Sequence, residues 1–494
     1  TFSIFFLLFL NACGGGSSGD SIAPSLDNLP PEANAGPDLI VYVNQTITIT
    51  GSGTDSDGTI VSYVWNDDSN NTLASTASFN YTPTPEGIKT ITLTVTDDDG
   101  ETTSDSMILT VEVIPDVEVF PDAVVHKPDF NTTHFSGSQN CAQCHDKSTD
   151  DTRLTDENGT DVSIVKAWQG TMMANAATDP FWKAKVATEV KEHPEFKEII
   201  EGKCSRCHTP MANVEATYND DTISLSGDDG FFKDGTLYYD AAMQGVSCTL
   251  CHQIENTSVL GTKQGFDGNF TINTDNTGIE RMIYGPYTNP DPNPSPMQNS
   301  VQFTPEYSPH MNESKLCASC HTLNTPVIAT DGSLTDDTFP EQAAYTEWEY
   351  SDFNGTQSCQ DCHMPQAEGS VIISTQGKNL GGSDLEGRSP FFQHKFLGAN
   401  TYMLEILKNN REKLGVLADE ERFNESIADT RVFLQAYADV NITQWSFVNG
   451  LLNFDVLVTN RSGHKFPTGF PSRRAWLHVT VKNSADKIVF ESGA

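Results

Sequence analysis

The chain has 494 residues, room for about three domains of ordinary size, and 37% of its residues are apolar, enough for more than one core. Lys and Arg number 29 against 67 Asp and Glu, a formal charge of −38 that repels phosphate backbones and excludes nucleic-acid binding. The 11 cysteines are too few for a disulfide scaffold, yet ten of them fall in five Cys-x-x-Cys pairs.

The run Phe2 to Leu10 is apolar but short of the roughly 20 residues of a membrane span, and it reads as the remains of a secretory signal. Leu10-Asn11-Ala12-Cys13 resembles a bacterial lipoprotein processing site, with a small residue before the cysteine that becomes the lipidated N-terminus. Cys13 is the cysteine outside the pairs, and Gly14 to Gly19 supplies a flexible tether after it. Residues 1–13 are therefore assigned to a signal remnant with lipidation at Cys13, and residues 14–32 to a linker.

From 33 to 114 the text changes to short alternating strands: Leu39 to Val43, Thr46 to Thr50, Ile60 to Trp65, Ile88 to Val95 and Met107 to Val113. This spacing predicts a β-sandwich plugged by Trp65. The runs Ala33-Asn-Ala-Gly-Pro-Asp38, Gly51-Ser-Gly-Thr-Asp-Ser-Asp-Gly-Thr-Ile60, Tyr63-Val-Trp65 and Thr90-Ile-Thr-Leu-Thr-Val-Thr-Asp97 resemble the PKD family of immunoglobulin-like domains. Asp55, Asp57 and Asp97 to Asp99 are candidate Ca²⁺ ligands, weighed against ordinary turn carboxylates.

Residues 126–399 hold every Cys-x-x-Cys pair among long loops, many prolines and broken helical patterns, and are read as a loop-and-helix region. Residues 400–439 have helical spacing, in Met403, Ile406, Leu407 and Leu414 and again in Phe423, Ile427 and Leu434, and predict a helical hairpin. Strand patterns return in 441–494 and read as the start of a C-terminal β-sandwich, cut short at Ala494. The multidomain chain is expected to be a fragment at both ends.

Each cysteine pair is followed at once by histidine. The five runs are Cys141-Ala-Gln-Cys144-His145, Cys204-Ser-Arg-Cys207-His208, Cys248-Thr-Leu-Cys251-His252, Cys317-Ala-Ser-Cys320-His321 and Cys359-Gln-Asp-Cys362-His363. Cys-x-x-Cys-His is the attachment signature of c-type haem: a helical turn sets two thiols for thioethers to two vinyl groups while the adjacent imidazole reaches the iron. Composition alone gives on the order of 0.006 such pentapeptides by chance. Zinc would use cysteines in fours, redox dithiols would need one exposed pair, and disulfides would leave the histidines unexplained.

Five covalent haems of the c type predict export and leave the distal ligands to be found. His134 and His310 each stand seven residues before the first cysteine of a run, a place from which histidines of multihaem cytochromes commonly ligate a neighbouring haem. His394 in Phe391-Phe-Gln-His-Lys-Phe-Leu-Gly398 and His464 in Gly463-His-Lys-Phe-Pro-Thr-Gly469 resemble late axial segments of those cytochromes. Met172 or Met173, in Trp168-Gln-Gly-Thr-Met-Met-Ala-Asn175, is the thioether candidate, with core packing as the competing reading. His126 and His193 are held in reserve, and His478 reads as structural.

The five runs, with Gly245-Val-Ser-Cys-Thr-Leu-Cys-His252 and Cys362-His-Met-Pro365, resemble bacterial multihaem cytochromes c of the tetrahaem and hydroxylamine oxidoreductase-like kind. That resemblance implies single-electron transfer along mostly six-coordinate haems rather than substrate chemistry. It also implies redox partner proteins, a membrane contact through the lipid anchor, and an outer-membrane, periplasm-facing or cell-surface location. The alternative is a multihaem reductase of a nitrogen or sulfur oxyanion at one open haem, with Lys465, Arg473 and Arg474 as an oxyanion contact or as partners of haem propionates.

Overall fold

The computed structural model describes residues 28–113, 124–148, 152–288, 294–375, 385–469 and 473–493. Cys13, the signal remnant and most of the linker lie outside them. The chain divides into two compact units, the first a β-sandwich within residues 9–119 and the second running from 120 to 494.

The first unit contains nine strands: β1 (Glu32–Asn34), β2 (Leu39–Tyr42), β3 (Ile47–Thr50), β4 (Ser52–Thr54), β5 (Ile60–Asn66), β6 (Thr72–Ala74), β7 (Ser78–Tyr81), β8 (Gly87–Asp97) and β9 (Thr102–Glu112). Five form one sheet in the order β2-β9-β8-β5-β6, in which β2 joins β9 in parallel and the other neighbours are antiparallel. β3 pairs with β7 and β1 with β4. Alternation along β8 and β9 sends Ile91, Leu93, Val95, Met107, Leu109 and Val111 inward. On the outer face the hydroxyls of Thr92 and Thr94 meet those of Ser106 and Ser104, at 2.9 and 2.8 Å.

Trp65 is fully buried among these side chains and donates its indole N–H to Thr76 O at 3.0 Å, so its one polar atom is satisfied. Gly51 makes the plug possible, because a Cβ there would stand 2.6 Å from both Trp65 Cζ2 and Leu93 Cδ2. The short strands β1, β4, β6 and β7 are not evident in the hydrophobic pattern. They are three or four residues long, too short for an alternation to register, and they are placed by pairing.

The second unit is mixed α/β, which corrects the expected loop-and-helix fold. Short helices alternate with two-stranded sheets: Met282–Gly285 lies parallel to Thr304–Tyr307, and Thr322–Ile328 antiparallel to Leu334–Ala343. Helix Pro180–Glu192 is started by Asp179, whose carboxylate accepts from Phe181 N and Trp182 N, with Pro180 in the first turn. It buries Trp182 and Val186 against Phe231, Tyr239 and Met243. Helices Thr401–Asn409 and Glu420–Tyr437 pack through Met403, Leu404, Leu407, Phe423 and Ile427.

The expected C-terminal β-sandwich is also corrected. Ala438–Val448 pairs with Leu451–Asn460, and Val479–Lys482 with Ile488–Ser492, as two separate two-stranded sheets. Trp445, Phe447, Trp476 and Phe490 are exposed on them. Strand alternation identifies a ribbon but not the second sheet that would cover it.

Candidate functional site: facing imidazoles around a shared cavity

All five Cys-x-x-Cys-His runs lie on or end short helices: Ser138–His145, Lys197–His208, Cys248–Cys251, Lys315–His321 and Cys359–His363. The last is closed by a capping box in which Ser358 Oγ accepts from Asp361 N while the Asp361 carboxylate accepts from Ser358 N. In the first, Asp146 follows the run and its carboxylate accepts from Val165 N and Lys166 N, fixing the start of helix Ile164–Gln169.

These helices meet through their thiols. Cys141 hydrogen-bonds Cys248, Cys317 hydrogen-bonds Cys359, and Cys320 hydrogen-bonds Cys207. The ten cysteines are not in disulfides. Burial pushes the thiols of Cys204 and Cys251 up to about 12, so these sulfurs are neutral S–H groups rather than thiolates. Burial likewise raises Cys144 and Cys362.

The run histidines share a second feature. The Nδ1–H donates to a backbone carbonyl in four of them: His145 to Ile373 O (2.8 Å), His208 to Ala176 O (3.0 Å), His252 to Tyr284 O (2.7 Å) and His363 to Leu397 O. Each bond fixes the tautomer and leaves the Nε2 lone pair for a ligand. Two bonds are reciprocated, since Tyr284 N donates to His252 O and Leu397 N to His363 O. Enclosure holds these rings neutral: His208 and His321 are lowered to about 4, and His145, His252 and His363 are also lowered.

Two pairs of rings face one another from opposite walls. His252 and His394 stand 6.2 Å apart between ring centroids at 18°, and His363 and His464 stand 6.1 Å apart at 17°. One segment serves both pairs, because 391–398 carries His394 and supplies Leu397 O to His363. His394 is lowered to about 3 by burial, with the nearby His252 adding to it. His208 instead stacks flat on Trp182, with centroids 4.1 Å apart and planes within 3°.

A continuous cavity of about 1050 Å³ runs between these groups. It is lined by cysteines of all five runs, by all five run histidines, and by His394, His464, Met172 and Met173. Cys204, His134 and His310 are not on its wall. Its remaining surface is largely apolar, including Val165, Trp168, Leu250, Phe303, Phe391 and Phe433. Met172 also packs on the helical hairpin and Met173 on the cluster around Leu250.

His134 and His310, expected as distal ligands, are engaged by the protein. His134 donates Nδ1–H to Glu215 Oε2 at 3.2 Å and Nε2–H to Thr274 O at 3.1 Å. His310 donates Nε2–H to Ile254 O at 2.8 Å and accepts from Ser308 Oγ at 2.7 Å. Spacing to a cysteine run places a residue on the approach to a helix, but it does not set the direction of its ring. The carbonyls of Ile373, Ala176, Tyr284 and Leu397 and the indole of Trp182 are part of the site and were missed in the sequence. A backbone carbonyl has no residue-type signature.

The candidate Ca²⁺ carboxylates are corrected to turn residues. Asp97 accepts from Asn28 Nδ2, Asp99 N and Glu101 N, and Asp98 accepts from Thr59 N. Among the described residues no three or more His, Cys, Asp or Glu side chains gather to hold a metal ion. That finding, with only two facing pairs among those residues, corrects the expectation of five covalent haems with mostly six-coordinate irons. It equally corrects the electron-transfer and oxyanion-reductase readings built on that expectation.

Comparison with known proteins supports the first unit. Residues 35–111 match a family model of the PKD domain, of the kind found in KIAA0319-like proteins. The mouse dyslexia-associated protein KIAA0319 homolog is 38% identical over 99 residues, 18% of this chain, and the match spans 9% of that protein's length. The PKD1 domain of Vibrio anguillarum Epp is 30% identical, covering 18% of this chain and 99% of that one, with a TM-score of 0.16. The PKD1 domain of the Vibrio cholerae metalloprotease PrtV is 28% identical, covering 17% of this chain and 100% of that one, with a TM-score of 0.15. The N-terminal unit is a PKD/Ig-like β-sandwich. The family assignment rests there, and the resemblance of the remainder to multihaem cytochromes is not carried by these matches.

Proposed function

We propose that the second unit is a container for flat metal complexes, each gripped between imidazoles from opposite walls and tethered at its rim by the cysteine pairs. The observation that carries this reading is the pair of facing imidazoles at 6.2 and 6.1 Å. With metal–nitrogen bonds of about 2.0 Å and about 1.2 Å from nitrogen to ring centre, two imidazoles on opposite sides of one metal have centroids about 6.4 Å apart. No third His, Cys, Asp or Glu joins either pair among the described residues, so the in-plane donors belong to the ligand itself. A planar ligand also suits an apolar cavity with cysteine pairs on its wall.

The chain's own residues have distinct parts in this reading. Backbone carbonyls hold the Nδ1 protons of His252 and His363, presenting Nε2 to the metal. A neutral thiol can add across a ligand carbon–carbon double bond, with sulfur bonding one carbon and its proton passing to the other, so no oxidant is consumed. Such a ligand supplies a metal whose properties are set by its two axial imidazoles and by the dry wall around it.

The proposal extends to an exported protein, lipid-anchored at Cys13 on an outer or periplasm-facing membrane, which meets protein partners there. The Leu-Asn-Ala-Cys sequence before the glycine tether supports it. The test is metal analysis and visible absorption of the full chain exported by a bacterial host. His394→Ala and His464→Ala should each change the spectrum of one metal centre, while His134→Ala should not. A spectrum indifferent to both His394 and His464 would overturn the proposal.

A further inference from the structure

We infer that Glu347, on helix Ala344–Glu349, is the positioning residue that holds His464 opposite His363; this rests on the reading of that pair as ligands to one metal. The two rings are held very differently. His363 sits in a capped helix and is tied to Leu397 by two backbone hydrogen bonds. His464 sits on a turn after the exposed strand Leu451–Asn460, with no helix to orient it.

What fixes that turn is a carboxylate from another element. Glu347 Oε2 accepts from Lys465 N at 2.9 Å and from Thr468 Oγ1 at 2.7 Å, clasping the chain on the C-terminal side of His464. The Glu347 side chain is 15% exposed, so these bonds are little contested by water. Its other oxygen lies 3.7 Å from Lys465 Nζ, a contact to a largely exposed ammonium that adds little. On the N-terminal side Gly463 packs against the same helix, where a Cβ would meet Trp348 Cδ1 at 3.1 Å. Asn460 Nδ2 and Ser462 Oγ donate to His464 O and close the turn internally, but they cannot fix it against His363. Glu347 and the Gly463 contact supply that link to the helix, and Glu347 is its polar, directional part.

Carbon monoxide is the probe, because a reduced iron that loses one axial imidazole takes up this gas while a centre with both does not. In the exported full chain, Glu347→Ala should raise carbon monoxide uptake by about one equivalent over the unsubstituted protein, as His464→Ala does. Glu347→Gln keeps an oxygen that accepts both bonds and should restore the low uptake. Thr468→Ala, which removes one of the two bonds and leaves the helix intact, should give an intermediate value and covers the case in which Glu347→Ala fails to fold. Uptake in Glu347→Ala equal to that of the unsubstituted protein, with His464→Ala raised, overturns the role of Glu347 alone. Absence of bound metal from the unsubstituted protein overturns the reading on which it rests.

Discussion

The two units solve the problem of an interior in opposite ways. In the PKD/Ig-like unit one cluster of apolar side chains, centred on Trp65, Leu93, Val95 and Leu109, fills the space between strands. The second unit divides its apolar side chains among several smaller clusters arranged about a cavity of about 1050 Å³. Left unfilled, a cavity of that size costs about 25 kcal/mol at ~24 cal/mol per Å³, more than the ~5–15 kcal/mol by which domains are stable. The first unit is closed by its own side chains; the second needs an occupant.

The sharpest way to break the contrast is to withhold that occupant. In a host that cannot supply or attach it, the second unit should lose its ordered structure while the sandwich survives as a protease-resistant fragment. Limited proteolysis with mass spectrometry reads both outcomes, and a second unit equally resistant without ligand would remove the distinction. The next effect lies in the first unit. Trp65→Ala should cost about 3–5 kcal/mol in denaturant unfolding of the sandwich and leave the metal spectrum unchanged.

A smaller effect sharpens the comparison through pH. His126 is buried in the second unit with both ring nitrogens unpartnered, and burial lowers it from 6.5 to about 4. Its folded form binds a proton less readily than the unfolded chain, so its stabilising effect is full above about pH 6.5 and is lost as pH falls toward 4, by about 3 kcal/mol. His126→Leu should remove that part of the acid sensitivity, measured as unfolding free energy against pH. An unchanged slope would assign the acid response to other groups. The smallest effect is at the surface, where Lys185→Ala breaks an exposed pair with Glu189 and should change stability by less than about 0.5 kcal/mol in the same unfolding assay.

Legibility in the sequence followed the same division. The long strands of the sandwich were readable because alternation is a local property, and β8 and β9 carry it over 11 residues each. The cysteine and histidine runs were also readable as chemistry, and the cavity gathers all of them with only Cys204 off its wall. What could not be read is which rings face each other. His394 and His464 reach His252 and His363 across more than 100 residues of chain, whereas His134 and His310, closer in sequence to their runs, turn into hydrogen bonds with Glu215, Thr274, Ser308 and Ile254. The expected covering sheet for the last two hairpins failed for a related reason, since pairing within a ribbon is local and packing across it is not.

The most direct measurement of the central claim is the intact mass of the exported chain together with its metal content. The account predicts a mass above that of the polypeptide by covalently held groups, with metal retained after denaturation. A chain with the bare polypeptide mass and no metal would contradict it.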